Sequence, residues 1–510
     1  MTLLVRNVLI LGGAREFPEP TDVFISGERI SAIGNFPNKK ADEVLDGGGA
    51  YLSPGFIDVN TDSDHYLSLL DYPAQEDFLK QGVTTIFGGM CGASLAPLLY
   101  GSLESVGKWT DPNRANVGWH TTAEFLRALD KFRLGVNFGT LAGHGTVRRA
   151  ITGEALRELT KNELGVLAGT LREALREGAF GISTGLAYVH ERSTPPGELK
   201  LVADIVKSAG GVYATHLRNM DKGVEKSVEE TIALAKGSGA RTLVSHFVPI
   251  RGAEREYSAA LDLIESLPQS ADFHFDLYPS EDMLLPIYSF LPEWAQNGGA
   301  GRMMANVKDE WFAKRVRADM PAPDEDRLIV AQAPGNDSLV GRSLREIKEM
   351  YEAEDSRDAL IRLMVAMRMR GAVLYRNVNV AAARRAIASP HSFIASNAPS
   401  FAEAPFRGKQ LKSSRTKSTF TDFLAMAEKE NLMPLKDAVA KITSAPAAEF
   451  GLRDRGAVAE GYFADLACFK GGEIRFTVVN GKTAMKGGEC GGAGAGKALR
   501  RAPRAAGARA

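Results

Sequence analysis

A parallel α/β barrel, of the (β/α)8 type, joined to a small β-sandwich domain built from both ends of the chain, is the fold that this sequence predicts. Three features predict it. Amphipathic helical stretches alternate with short, nearly all-apolar runs at intervals of about 30 residues, the length of a βαβ unit. Both ends of the chain read instead as short strands and turns. Polar side chains gather where the apolar runs stop, the rim on which such barrels build their sites.

The first 55 residues carry LLVRNVLIL, DVFISGERISAIG and EVLDGGGAYLSPG, in which β-branched residues alternate with Gly-containing turns. The same style returns in GYFADLACFK and EIRFTVVNGKTAMKGGE, with Asn480-Gly481 as a hairpin signal. Residues 1–55 and 447–490 are therefore expected to form one β domain around a barrel at 56–446. Inside that stretch, a helical pattern over 159–176 stops at Gly178 and leads into AFGIST. ELKLVADIVKSAG leads into GVYATH, VEKSVEETIALAKGSG into RTLVSH, and AALDLIESLP into ADFHFDLYP. Runs this apolar suit strands covered on both faces. Further strands are expected at Ile86, 136–141, 373–376 and 393–396, which brings the total near the eight of a closed barrel. Residues 285–370 break the rhythm, with Pro321, Pro323, Asp324 and Asp326 marking turns, and read as an insertion or lid. Residues 491–510 hold five basic residues and no acid after Gly496 and read as a flexible basic tail.

The chain has 510 residues, and its 62 Lys and Arg balance 62 Asp and Glu. With 24% charged and 44% hydrophobic residues it has the composition of a folded globular protein and lacks the basic excess of a nucleic-acid binder. Cys91, Cys468 and Cys490 are too few and scattered for a disulfide framework, which favours a reducing, cytoplasmic setting. The apolar start MTLLVRNVLILGG is interrupted by Arg6 and Asn7, and no run reaches the roughly 18–20 residues of a membrane span. A small molecule is the expected partner, with no nucleic acid and no membrane; oligomeric state leaves no mark in the sequence.

The polar residues at strand ends are Ser183 and Thr184, His216, His246, Asp276 and Tyr278, and Ser396 and Asn397. A single histidine there is more often structural, but two on consecutive units shift the balance toward chemistry. Cys91, in GGMCGAS after VTTIF, falls at another strand end. One thiol and two imidazoles suit Zn²⁺, and three protein ligands leave a fourth position open, as catalytic zinc sites do. The competing reading of Cys91 is a small buried apolar residue.

These segments resemble the N-acyl-D-amino-acid deacylases (D-aminoacylases) of the amidohydrolase superfamily, nearly end to end. The carriers are SPGFIDVN (53–60), QGVTTIFGGMCGASLAPL (81–98), AGHGTVR (142–148), EGAFGISTGLAY (177–188), YATHLRN (213–219), LVSH (243–246) and FDLYPS (275–280). GLRDRGAVAEGYFADL (451–466) and VVNGKTAMKGGECGGAGAGKALRR (478–501) extend the likeness through the returning β domain. The resemblance implies a metal-bearing barrel with zinc held by Cys91, His216 and His246. It also places Tyr188 and Tyr278 in motifs that shape the substrate pocket, with Arg218 close by.

Two places depart from that family. Where it has His-x-His after Gly-Phe-Ile-Asp, this chain has Asn60-Thr61-Asp62. On a strand, Asn60 and Asp62 share a face and still aim at the site, but oxygen donors hold a second metal more weakly than imidazoles hold zinc. One zinc is the expected complement. The family's catalytic aspartate is here Asn397, in IASNAPS, and an amide cannot take a proton at neutral pH. Asp62 is the expected replacement base. Asp64 and His65 read either as further candidates or as solvated loop residues, and His144 as a candidate or a loop organiser. The expected activity is metal-dependent hydrolysis of carbon–nitrogen amide bonds, N-acyl-D-amino-acid deacylase-like. The alternative is an impaired relative that binds zinc or a small acylated ligand without turnover; cyclic-imide hydrolysis is a third reading.

Overall fold

The computed structural model describes all residues except 14, 403–408, 493 and 503–510. Strands Phe56–Asp58, Val83–Gly88, Asn137–Thr140 (continued by Ala142–Gly143), Gly181–Gly185, Val212–His216, Arg241–Val244, Phe273–Leu277 and Ser392–Ile394 run parallel in chain order. The last meets the first where Asn397 N–H donates to the Asn60 carbonyl at 2.8 Å, closing the ring. Most strand residues are buried, which is why their sequences read as unbroken apolar runs. Gly181 shows how close the ladder is packed: a Cβ there would lie 1.9 Å from the Val212 carbonyl oxygen.

Both ends of the chain share one eight-stranded sheet. Strands from Thr2–Ile10 to Glu43–Pro54 join Leu466–Lys470, Glu473–Val479, Lys482–Lys486 and Glu489–Cys490, and the joint is the antiparallel pairing of Leu466–Lys470 with Glu43–Pro54. Its core holds Leu3, Val5, Val23, Ile25, Leu52, Leu466 and Val478.

Between the seventh and eighth barrel strands lies a separate unit. Asp282–Pro286, Ala372–Arg376 and Leu328–Gln332 form an antiparallel sheet over its own core of Ile287, Leu344, Leu360, Leu363 and Met364. This corrects one expectation: 373–376 is the central strand of the insertion, not a barrel strand. A central strand of a small covered sheet is buried on both faces and spells the same apolar run as a barrel strand. The insertion thus reaches from about 282 to 376, and its residues line a cleft together with those at the barrel's strand ends.

The flexible tail is corrected as well, over its described part. Leu499 N–H donates to the Phe138 carbonyl at 2.7 Å and Phe138 N–H to that of Lys497 at 2.9 Å. Arg501 binds the carbonyls of Leu175, Ala179 and Ala209 through its guanidinium, so these basic residues close helix and strand ends. Residues 503–510 lie outside the described residues. Among those described, no helix is long and apolar enough to cross a membrane.

Candidate metal centre

Three barrel strands end in the thiol and two imidazoles singled out above. Cys91 follows Val83–Gly88 in a left-handed turn (φ 53°) flanked by Gly89 and Gly92. Gly92, at φ 74°, leaves no room for a side chain, because a Cβ would fall 2.7 Å from the Gly185 backbone nitrogen. His216 is the last residue of its strand. His246 lies two residues past Arg241–Val244 at φ 39°, its N–H donating to Asp276 Oδ1 at 2.8 Å.

One donor atom from each of Cys91, His216 and His246 lies within 4.8 Å of the others. The Cys91 Sγ is 3.3 Å from His246 Nε2, and the two imidazole centroids are 4.4 Å apart. Burial holds both rings neutral, pushing His246 down to about 4 and His216 well below its ordinary range. The same burial pushes the Cys91 thiol up. His216 Nδ1 is buried and has no hydrogen-bond partner. Neutral imidazoles, an orphaned ring nitrogen and a thiol within reach of one point fit a zinc ion, whose charge would replace the thiol proton.

A cleft of about 780 Å³ opens above the triad, and Asp62, Tyr188, Arg218, Tyr278 and Asn397 line it with Cys91, His216 and His246. Asp62 is held from two sides. His65 Nδ1–H donates to its Oδ1 at 2.9 Å, and Asn397 Nδ2 donates to its Oδ2 at 3.3 Å. His65 Nε2 meets the Ala93 carbonyl at 3.1 Å, so both ring nitrogens face acceptors, an arrangement that favours the imidazolium. Burial opposes that charge, but the carboxylates of Asp64 and Asp62 outweigh it and raise the group.

Asn60 behaves differently from Asp62. Its Nδ2 donates to both oxygens of Asp276 at 3.2 Å, its Oδ1 is buried without a partner, and it takes no part in lining the cleft. Asp62 is likewise absent from the group of donors within 4.8 Å. The solvated-loop reading of Asp64 and His65 fails: both are buried, with Asp64 Oδ2 accepting from Gly89 N–H at 2.6 Å.

The Tyr188 ring lies tilted at 51° to that of His216, their centroids 4.8 Å apart, and the Lys108 ammonium sits over the Tyr188 ring 3.4 Å from its centroid. The Tyr278 ring faces the Arg415 guanidinium at 4.4 Å. Arg218 is engaged by Glu230 at 2.9 and 3.1 Å and by the Arg192 carbonyl, so it braces the wall that carries Arg192. Sequence reasoning missed Lys108 and Trp109. Trp109 stacks on His65 at 4.0 Å and 3°, and burial brings Lys108 down to about 7. Both sit in an irregular loop with no period to betray them.

His144 supports the Cys91 turn from behind. Its Nδ1 meets Glu191 Oε1 at 2.6 Å and its Nε2 meets Glu198 Oε1 at 2.8 Å, with Arg148 Nε on the same oxygen at 3.0 Å. Burial pulls His144 down, yet the two carboxylates prevail and raise it to about 9. The folded-state value lies above the ordinary imidazole value of about 6.5. Its contribution is therefore complete below pH 6.5 and is lost as pH rises through about 9. We expect His144→Ala to destabilise the fold by about 3–5 kcal/mol, the cost of leaving buried carboxylates unpaired. Denaturant midpoints at pH 6 and pH 9 check this: the wild type loses stability over that interval and the variant does so far less.

A thiol and two imidazoles at the mouth of a parallel barrel, carried beside a two-ended β domain, define a metal-dependent amidohydrolase. A family profile described as "Amidohydrolase family" matches residues 347–484. N-acyl-D-glutamate deacylase of Alcaligenes xylosoxydans xylosoxydans is 30% identical over 465 residues, spanning 90% of this chain and 84% of its own. N-acyl-D-aspartate deacylase of the same organism is 28% identical over 475 residues, spanning 91% and 85%. The solved structure of D-aminoacylase, described by its binuclear metal center with one-metal activation and second-metal attenuation, superposes with a TM-score of 0.77. That match has 26% identity and covers 98% of this chain and 99% of the other. The chain belongs to the N-acyl-D-amino-acid deacylase family of amidohydrolases.

Proposed function

We propose that the protein hydrolyses the amide bond of small N-acylated D-amino acids with one zinc ion held by Cys91, His216 and His246. The observation that carries this reading is the convergence of those three donors at the foot of a cleft that also presents the Asp62 carboxylate, held by His65 and Asn397. Zinc, when bound, polarises an amide carbonyl and eases ionisation of water.

The chain's own groups supply the remaining steps. Asp62 Oδ1 is fixed by His65, which leaves Oδ2, beside Asn397, to take a proton from the attacking water and return it to the leaving amine nitrogen. Asn397 orients Asp62 and carries no proton itself. Tyr188, between Lys108 and His216, walls off solvent on one side, and Tyr278 lines the other. Arg192 offers the substrate carboxylate a guanidinium whose own ion pair, to exposed Glu293, is loose at 3.7 Å. Asn60 turns its Nδ2 to Asp276 and stands outside the cleft lining, which supports a single metal. Three unpaired cysteines support a reducing, cytoplasmic setting.

The test is release of free amine from N-acetyl-D-amino acids by protein stripped of metal and then restored. Turnover should vanish on stripping and return fully at one zinc per chain. Absence of turnover across the panel at full zinc loading would overturn the reading in favour of a binding protein.

A further inference from the structure

We propose that the cleft selects substrates with one carboxylate and a bulky apolar substituent, and discriminates against acidic side chains; this rests on the deacylase reading above. The wall facing the metal ligands is built by the insertion. Met283, Leu284 and Leu285 of the edge strand Asp282–Pro286 are only partly buried, and they line the cleft with Tyr288, Phe290 and Leu291. Side chains of both faces of one strand reach a cleft only where that strand crosses its mouth. The result is a continuous apolar surface at the rim of a polar site. The cleft's volume of about 780 Å³ lies in the range that encloses drug-sized ligands, about 300–1,000 Å³. An acetylated amino acid leaves most of it to water.

The charges point the same way. Among the described residues lining this cleft, the guanidinium groups are those of Arg192, Arg218 and Arg251. Arg218 is bound by Glu230 at 2.9 Å and Arg251 by Glu281 at 2.6 Å. The charge of Arg192 is the least compensated of the three: its one carboxylate contact, to Glu293, is at 3.7 Å, and its Nη2 otherwise donates to the neutral Ala187 carbonyl at 2.7 Å and Gln296 Oε1 at 3.1 Å. One substrate carboxylate finds a partner; a second would meet Asp221, Glu293 and Asp319, which also line the cleft. A buried carboxylate without a partner is strongly disfavoured, whereas each methylene buried on the apolar wall favours binding about fourfold.

The apolar group can be the amino-acid side chain or the acyl chain, and matched pairs separate them. With zinc-loaded protein, kcat/KM for N-acetyl-D-leucine should exceed that for N-acetyl-D-glutamate by about tenfold or more. If the acyl chain meets the wall, N-octanoyl-D-alanine should exceed N-acetyl-D-alanine by a similar factor; equal values assign the wall to the side chain. Leu284→Glu should erase the preference without changing zinc content. Equal rates within both pairs, or a preference for the glutamate compound, would overturn the inference. If no compound is hydrolysed, the deacylase reading fails separately. Calorimetry then decides: tighter binding of the octanoyl compound, with a negative heat-capacity change, sustains the selectivity, and equal binding overturns it.

Discussion

Asp62→Asn should lower kcat by about 10²–10⁴, the usual loss for a missing general base, while one zinc stays bound. That factor corresponds to about 3–5 kcal/mol of transition-state stabilisation. Shape changes little, since asparagine is isosteric and Asp62 lies outside the cluster of metal donors. What changes is Oδ2, the oxygen that His65 leaves uncommitted. Steady-state kinetics with zinc analysis on the same sample check the result; an unchanged kcat at full zinc would move proton transfer elsewhere. Asn397→Asp provides a complementary readout. It sets a second carboxylate where an amide nitrogen now lies 3.3 Å from Asp62 Oδ2. Like charges at that distance raise the apparent pKa of the pair. The acidic limb of the kcat/KM profile should therefore move to higher pH, because the required carboxylate protonates sooner as pH falls.

Cys91→Ala should abolish zinc binding and turnover together. The thiolate is the one anionic donor of the triad; the two imidazoles that remain are neutral and buried. Removing an outer-shell partner costs about 10–100-fold in metal affinity, and loss of a direct ligand should exceed that. The fold should survive, since the substitution removes one sulfur atom and leaves the Gly89–Gly92 turn intact. Metal content after dialysis, paired with a thermal melt, separates loss of zinc from loss of structure. Wild-type zinc content in a folded Cys91→Ala protein would remove Cys91 from the site.

Much of this architecture is written in the sequence because burial imposes a pattern on it. Strands covered by helices must be apolar throughout, so 179–184, 211–216 and 241–246 announce themselves, and the donors His216 and His246 sit where those runs stop. The same signal misled at 373–376, since a covered antiparallel strand obeys the same rule as a barrel strand. Lys108 and Trp109 were illegible for the opposite reason. Their loop follows no period, and their importance comes from stacking on Tyr188 and His65, contacts between segments about 40–80 residues apart that no local pattern encodes. The docking of 496–501 was hidden as well: basic side chains that close helix ends by binding carbonyls resemble, in one dimension, any solvated tail.

The joint between the two ends of the chain sets a timetable for synthesis. Thr2–Ile10 and Glu43–Pro54 leave the ribosome before Leu466–Lys470, and the second of them presents a bare edge until that strand arrives. Throughout production of the entire barrel, that nascent edge stays available to foreign strands. That edge is covered only once Leu466–Lys470 has paired with Glu43–Pro54.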